Sequence, residues 1–163
     1  MSEEKKILLD VKDLVIRYET DDGIVEALNG VSIQIEEGKT LGLVGETGAG
    51  KTTLARGIMR LIQSPPGKIV SGEVFYDGKD LLKLSEEEMQ GIRGEHISMI
   101  FQDPMTSLNP VMTVGEQIME VILRHNKIGK KEAREKAEQM LELVGITKGR
   151  FDNYPHQFSG GMK

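Results

Sequence analysis

Nine consecutive residues constrain this chain more than any others: Gly45-Glu46-Thr47-Gly48-Ala49-Gly50-Lys51-Thr52-Thr53. They read G-x-x-x-x-G-K-T, the spacing of a loop that cradles phosphates. The chemistry needs these residue types. Glycines let the backbone take positive φ and bring its N–H groups close to an anion. Those N–H groups form a concave nest around phosphate oxygens. Lys51 adds a full positive charge within reach of the β- and γ-phosphates, and the Thr52 hydroxyl is an oxygen ligand of the kind Mg²⁺ prefers. The run Lys39-Thr40-Leu41-Gly42-Leu43-Val44 before the loop predicts a short buried strand. Residues Thr52 to Ile62 after it predict a helix, whose positive dipole end would face the phosphates. Together these features imply nucleotide binding by an α/β fold.

The chain is long enough, at 163 residues, for one domain with a real core. A net charge of −5 argues against a dominant nucleic-acid surface. There is no cysteine, which excludes disulfides and Cys-ligated zinc. The charged start Met1-Ser2-Glu3-Glu4-Lys5-Lys6 is not a signal peptide, and no apolar run approaches a membrane span. Any service to a membrane is expected from its surface, through a partner.

In chain order, Ile7 to Tyr18 reads as strand and Asp21-Asp22-Gly23 as turn. Ile24 to Ala27 and Val31 to Ile35 read as further strands, separated by a tight turn at Asn29-Gly30. The start is therefore expected to be antiparallel. Tyr18 could stack on a purine, but as a strand aromatic it reads first as cover for the sheet. Ser64-Pro65-Pro66-Gly67 breaks the helix, and Ile69 to Tyr76 is another strand ending in the turn Asp77-Gly78.

Ser85 and Glu88 fit a capping box. The acidic triplet Glu86-Glu87-Glu88 matches a helix dipole better than a metal site. Ile97 to Phe101 predicts a short apolar strand leading into the loop Gln102-Asp103-Pro104-Met105-Thr106-Ser107-Leu108-Asn109-Pro110. The Gln102 carbonyl suits a metal ion or water, although spacing alone favours a structural role.

Thr113 and Glu116 form a second capping box, with Val114, Ile118, Val121, Ile122 and His125 following at helical spacing. A second helix carries Ala133, Ala137, Met140, Leu141 and Val144 on one face and a Glu132–Lys136 pair, and Gly145 ends it. The two helices read as an antiparallel pair with a solvated charged face. His96, His125 and His156 show no metal-ligand spacing. In the closing Phe158-Ser159-Gly160-Gly161-Met162, Ser-Gly-Gly offers a second weak anion signal, with a flexible tail as the default.

The order of these pieces resembles the ATP-binding subunits of ABC transporters. Residues Phe101 to Pro110 and the ending Phe158-Ser159-Gly160-Gly161-Met162 look most like the branch that imports dipeptides, oligopeptides or nickel. The general family signature is Leu-Ser-Gly-Gly-Gln, from which Phe158 and Met162 depart in a way familiar for that branch. The resemblance implies a P-loop, RecA-like ATPase core with an antiparallel β-subdomain and an α-helical subdomain. The core, with the Walker A loop and the Q-loop, would take residues 1–110; the helical subdomain, ending in the signature, would take 111–163.

By the same resemblance Tyr18 stacks on adenine, and Gly45 to Thr53 hold the phosphates of ATP. Lys51 and Gln102 take part in catalysis, and Thr52 and Gln102 contact Mg²⁺. Ser159, Gly160 and Gly161 cap the γ-phosphate of ATP on a second ABC ATPase subunit, in a homo- or heterodimer. The implied partners are ATP and ADP, permease subunits docking near Asp103 to Met112, and indirectly an extracytoplasmic substrate-binding protein, with no nucleic acid. The implied place is the cytoplasmic face of the cell membrane, held peripherally. The family's Walker B strand, catalytic Glu and switch His lie beyond Lys163. The sequence therefore reads as an N-terminal portion that hydrolyses ATP poorly alone. Two competing readings keep the nucleotide fold without transport: an ATPase of DNA repair or chromosome maintenance, and a translation or regulatory ATPase. The first places coiled-coil or zinc-bearing insertions between loop and signature, which this chain lacks; the Gln102 to Pro110 stretch weighs against the second.

Overall fold

The computed structural model describes residues 6–101 and 107–159. They fall into two compact units that divide after Arg93.

The first unit is built on a four-stranded antiparallel sheet in the order β2-β1-β3-β4. Its strands are β1 (Ile7–Thr20), β2 (Gly23–Glu36), β3 (Gly67–Tyr76) and β4 (Lys79–Asp80). The antiparallel start expected from sequence is present, but Asn29-Gly30 is not a turn. β2 runs straight through it. The register explains how: Leu14 pairs with Val31 and Ile16 with Leu28, so β2 uses three steps where β1 uses two. This is a β-bulge, which absorbs one extra residue without ending the strand. A second irregularity, on β1, lies at Asp13, whose φ is 45°. There the Asp13 amide donates to Ser32 Oγ at 2.8 Å, and the Ser32 hydroxyl donates to Asp13 Oδ1 at 3.2 Å.

One face of this sheet is apolar because alternate residues share a face. Val11, Leu14, Ile16 and Val74 are fully buried there. Helix α1 (Lys51–Ile58) packs on it through Leu54 and Ile58. Gly57 allows the close approach: a Cβ there would stand 2.5 Å from Ile16 Cδ1.

The helix stops at Ile58, short of the Ile62 expected from periodicity. Arg60 takes φ 53°, and the Leu61 amide reaches back to the Arg56 carbonyl at 2.7 Å, closing the last turn. Two arginines hold this end. Arg60 donates to the carbonyls of Leu84 (2.6 Å) and Leu81 (3.2 Å). Arg93, at the end of α2 (Glu86–Ile92), donates to the carbonyls of Met59 (2.8 Å) and Arg60 (3.1 Å). Helix periodicity reports a buried face; it does not report these side chains from later in the chain.

Two expected strands are absent. Lys39–Val44 and 97–101 carry no strand ladder. None of their apolar residues is fully buried, and Val44 and Ile100 stand 95% and 93% exposed. A strand exists only through hydrogen bonds to a neighbour, and neither segment enters a described strand pairing.

The second unit pairs α3 (Val114–His125) with α4 (Lys130–Leu143). Ala133 and Ala137 are fully buried and Leu141 nearly so, and with Ile122, Ile146, Phe151 and Phe158 they form its core. Met140 and Val144, expected on the same face, are exposed. The buried stripe is the narrow i, i+4, i+8 row of Ala133, Ala137 and Leu141; Met140 stands one position off it, and Val144 is the C-cap, beyond the last helical residue. The Glu132–Lys136 pair forms at 3.2 Å, and α4 closes on Gly145, with the Ile146 amide on the Leu141 carbonyl.

Both predicted capping boxes are present. Ser85 Oγ accepts from the Glu88 amide while Glu88 accepts from the Ser85 amide, and Thr113 and Glu116 do the same. The bonds from the Thr113 amide and hydroxyl hold the Glu116 carboxyl below its ordinary pKa. A carboxylate depressed in the folded state adds stability above its unfolded pKa and loses it as pH falls through the folded one. Urea denaturation is therefore expected to show Thr113→Ala less stable by about 1 kcal/mol at neutral pH. The difference should shrink on acidification below the ordinary glutamate range. A pH-independent difference would mean that the carboxylate contributes nothing to this cap.

Candidate phosphate-binding site

The loop from Gly45 to Gly50 sits immediately before α1. Gly48 (φ 86°) and Gly50 (φ 83°) are both left-handed, a conformation glycine takes at no steric cost. Gly50 is constrained twice. A Cβ there would lie 2.6 Å from the Ala27 carbonyl oxygen and 2.8 Å from Leu28 Cδ2. The loop is thus seated directly on the backbone of β2, and a larger residue at position 50 would lift it off. The Ala49 amide turns back to the Glu46 carbonyl at 3.2 Å.

Lys51 folds over this turn. Its ammonium donates to the carbonyls of Gly45 and Glu46, both at 2.6 Å. Ionised phosphate oxygens are stronger acceptors than these neutral carbonyls. The first helical amide to find a partner is Leu54, which bonds the Gly50 carbonyl at 2.8 Å. The amides of Lys51, Thr52 and Thr53 come before it and have no carbonyl in the helix to bond.

The contrast with α3 is instructive. There the Val114 amide bonds the Asn153 carbonyl, Gly115 bonds that of Phe151, and Glu116 bonds Thr113 Oγ1. The start of α3 is saturated by its own protein; the start of α1 has its donors in hand, among the described residues, beside a lysine ammonium. A helix start of that kind binds anions. Glu46, Thr47, Gly48, Ala49 and Thr52 are exposed, so a ligand can reach them.

The other sequence-predicted residues are placed as follows. Tyr18 lies on β1 opposite Val25 and Gly67. It is half-buried, with its ring edge over Gly67, where a Cβ would meet Cε1 at 2.9 Å. Ser159 is exposed and follows Phe158, which is buried under the Arg150 guanidinium. Gln102, Gly160 and Gly161 lie outside the described residues, as does the segment from Asp103 to Thr106. Sequence reasoning missed the supporting roles of Gly57 and of the Ala27–Leu28 backbone. The signal for Gly57 was available: an interior glycine costs a helix about 1 kcal/mol, so its place inside the expected Thr52–Ile62 helix called for a packing reason. Nothing local marks Ala27.

Comparison with known proteins gives a consistent picture. A family model described as ABC transporter matches residues 28–163. Oligopeptide transport ATP-binding protein OppD of Bacillus subtilis is 52% identical over 96% of this chain and 44% of its own length. Dipeptide transport ATP-binding protein DppD of the same organism is 48% identical over 96% of this chain and 47% of its own. OppD of Escherichia coli is 47% identical, over 96% and 46%. The chain thus spans about half the length of the curated relatives it matches. Among solved structures, the dimeric bacterial cassette MJ0796 matches with a TM-score of 0.79 at 26% identity, covering 94% of this chain and 64% of that one. The same cassette in a dimeric post-hydrolysis state bound to ADP and Pi matches with a TM-score of 0.77 at 25% identity, with the same coverage.

Proposed function

The chain belongs to the ABC transporter family, and from that premise we propose that it carries the ATP-binding machinery of a peptide importer. The observation that carries the nucleotide part is the Gly45–Thr53 loop: left-handed glycines seated on β2, a lysine ammonium at its mouth and, at the start of α1, amides with no partner among the described residues. The peptide part is supported by the relatives named for oligopeptide and dipeptide transport.

In this reading Lys51 moves from the carbonyls of Gly45 and Glu46 onto the phosphates, and the amides from Gly48 to Thr53 close around them. Tyr18 stacks on adenine. Mg²⁺ fits this donor set. It takes few protein ligands when phosphate and water supply the rest, and the exposed Thr52 hydroxyl at the loop is one oxygen of the right kind. No cluster of three or more acidic, His or Cys side chains is present among the described residues to compete for it. Thr52 and Gln102 are its assigned protein ligands; when bound, the ion neutralises charge on the phosphates. Lys51 and Gln102 act on ATP within residues 1–110. Ser159, Gly160 and Gly161, in the helical part 111–163, cap the γ-phosphate bound by a second such subunit.

The permease docks near Asp103 to Met112, and a substrate-binding protein delivers peptide from the other side of the membrane. No helix among the described residues is long and apolar enough to cross a membrane, which accords with peripheral attachment to the cytoplasmic face through that permease. The test is reconstitution of the assembled transporter in liposomes. ATP-dependent accumulation of a labelled oligopeptide is expected, abolished when ATP is withheld. ATP hydrolysis without peptide accumulation, under any delivered peptide length, would overturn the peptide reading.

A further inference from the structure

We propose that Gln117 is a positioning residue that sets the shape of the loop on which the permease docks. The inference rests on the docking reading above and adds to it the residue that builds the surface. Gln117 is half-buried in the first turn of α3 and points back under the loop. Its Oε1 accepts from the Asn109 amide at 2.8 Å, and its Nε2 donates to the Asn109 carbonyl at 3.0 Å. One side-chain amide therefore pairs with both backbone groups of a single residue, as a neighbouring β-strand would. Nε2 also lies 3.2 Å from the Met112 carbonyl and 3.4 Å from that of Thr113. With two hydrogens, it serves Asn109 and Met112 best. Asn109 completes the turn, its Oδ1 accepting from the Val111 amide at 3.1 Å.

Residues 108–113 lie in no strand or helix. Asn109 is exposed and water could serve its backbone groups, so what the glutamine supplies is a fixed geometry, as pairing with a strand would. The rigid helix start, capped by Thr113 and Glu116, gives that glutamine a fixed base. Around it lies an open cleft of about 420 Å³, lined by Leu108, Met112, Val114, Ile118 and Val121 beside polar Asn109 and Gln117. Val111 stands 79% exposed at the turn.

Two variants separate chemistry from shape. Gln117→Glu keeps the acceptor for Asn109 but sets a carboxylate against three carbonyl oxygens; Gln117→Leu removes every bond at similar volume. In the assembled transporter, both are expected to leave ATP affinity and basal hydrolysis within about twofold, since neither touches the phosphate loop. Amide exchange at Asn109 and Val111 should accelerate at least tenfold, and peptide uptake should fall at least tenfold. Unchanged exchange at Asn109 overturns the role of Gln117. Accelerated exchange with undiminished uptake overturns the link between loop shape and coupling. The docking reading is checked separately in the unaltered loop background: these 163 residues contain no cysteine, so Val111→Cys places a crosslinking thiol at the loop, compared with the parent protein as control. Absence of any crosslink there removes the premise, whatever Gln117 does.

Discussion

Lys51→Ala is expected to weaken ATP binding at least about 100-fold while leaving the fold intact. The ammonium makes two short bonds to loop carbonyls, and in the bound state exchanges them for phosphate oxygens. Charged hydrogen bonds contribute roughly 1.5–3 kcal/mol each, and 1.4 kcal/mol is tenfold in affinity. Because two carbonyl bonds are given up in the exchange, the net gain is the surplus strength of bonds to ionised phosphate, which are roughly twice as strong as bonds to neutral acceptors; two such surpluses amount to about two orders of magnitude. The core does not use this side chain: Leu54, Ile58, Val11, Leu14 and Ile16 pack without it. Circular dichroism and the melting temperature should stay near the parent values, while a fluorescent ATP analogue, titrated with and without Mg²⁺, loses saturable binding. Equal affinity in the two proteins would mean that Lys51 stays on Gly45 and Glu46 when nucleotide binds.

Phe151→Ala is expected to be the most damaging single change in the helical unit, at about 3–5 kcal/mol. The ring is 2% exposed and lies on Gly115, where a Cβ would come within 2.3 Å of its Cγ. The absence of a side chain at Gly115 is what lets the ring sit against α3. Its other side is covered by the Arg134 guanidinium, 4.1 Å from the ring centroid. Arg134 is itself held by Glu138 at 2.9 Å and Asp152 at 3.0 Å. Truncation leaves a cavity between two fixed elements, and it removes a cation–π contact of about 0.5–1 kcal/mol. It also loosens the segment whose Phe151 and Asn153 carbonyls saturate the start of α3. Urea denaturation monitored in the helical unit reads the loss. A change below about 1 kcal/mol would mean that the site collapses around the smaller residue.

What could be read from the chain alone follows from the range of the forces involved. The phosphate loop, the two capping boxes, the Asp77-Gly78 turn and the Gly145 stop are local: each depends on residues within a few positions, so spacing carries the information. Periodicity found α3 and α4 for the same reason. It failed at Met140, one position off the buried row, because a helix face is narrower than the set of apolar residues near it, and at Val144, because the helix has already ended there.

Local patterns in the chain establish that a G-x-x-x-x-G-K-T loop precedes a helix, that an antiparallel sheet comes before it, and that a capped helical pair follows. Tertiary packing set the rest. It turned Asn29-Gly30 from a turn into a bulge, because β1 offered a continuous partner. It left Lys39–Val44 and 97–101 without ladders, because a strand is made by a neighbour and not by its own residues. It ended α1 early under Arg60 and Arg93, whose partners lie about twenty to thirty positions away. It seated Gly50 on Ala27 and hung Asn109 from Gln117. These last contacts place the phosphate loop and shape the loop before α3, and no local pattern announces them, since each is a bond between residues that only folding brings together.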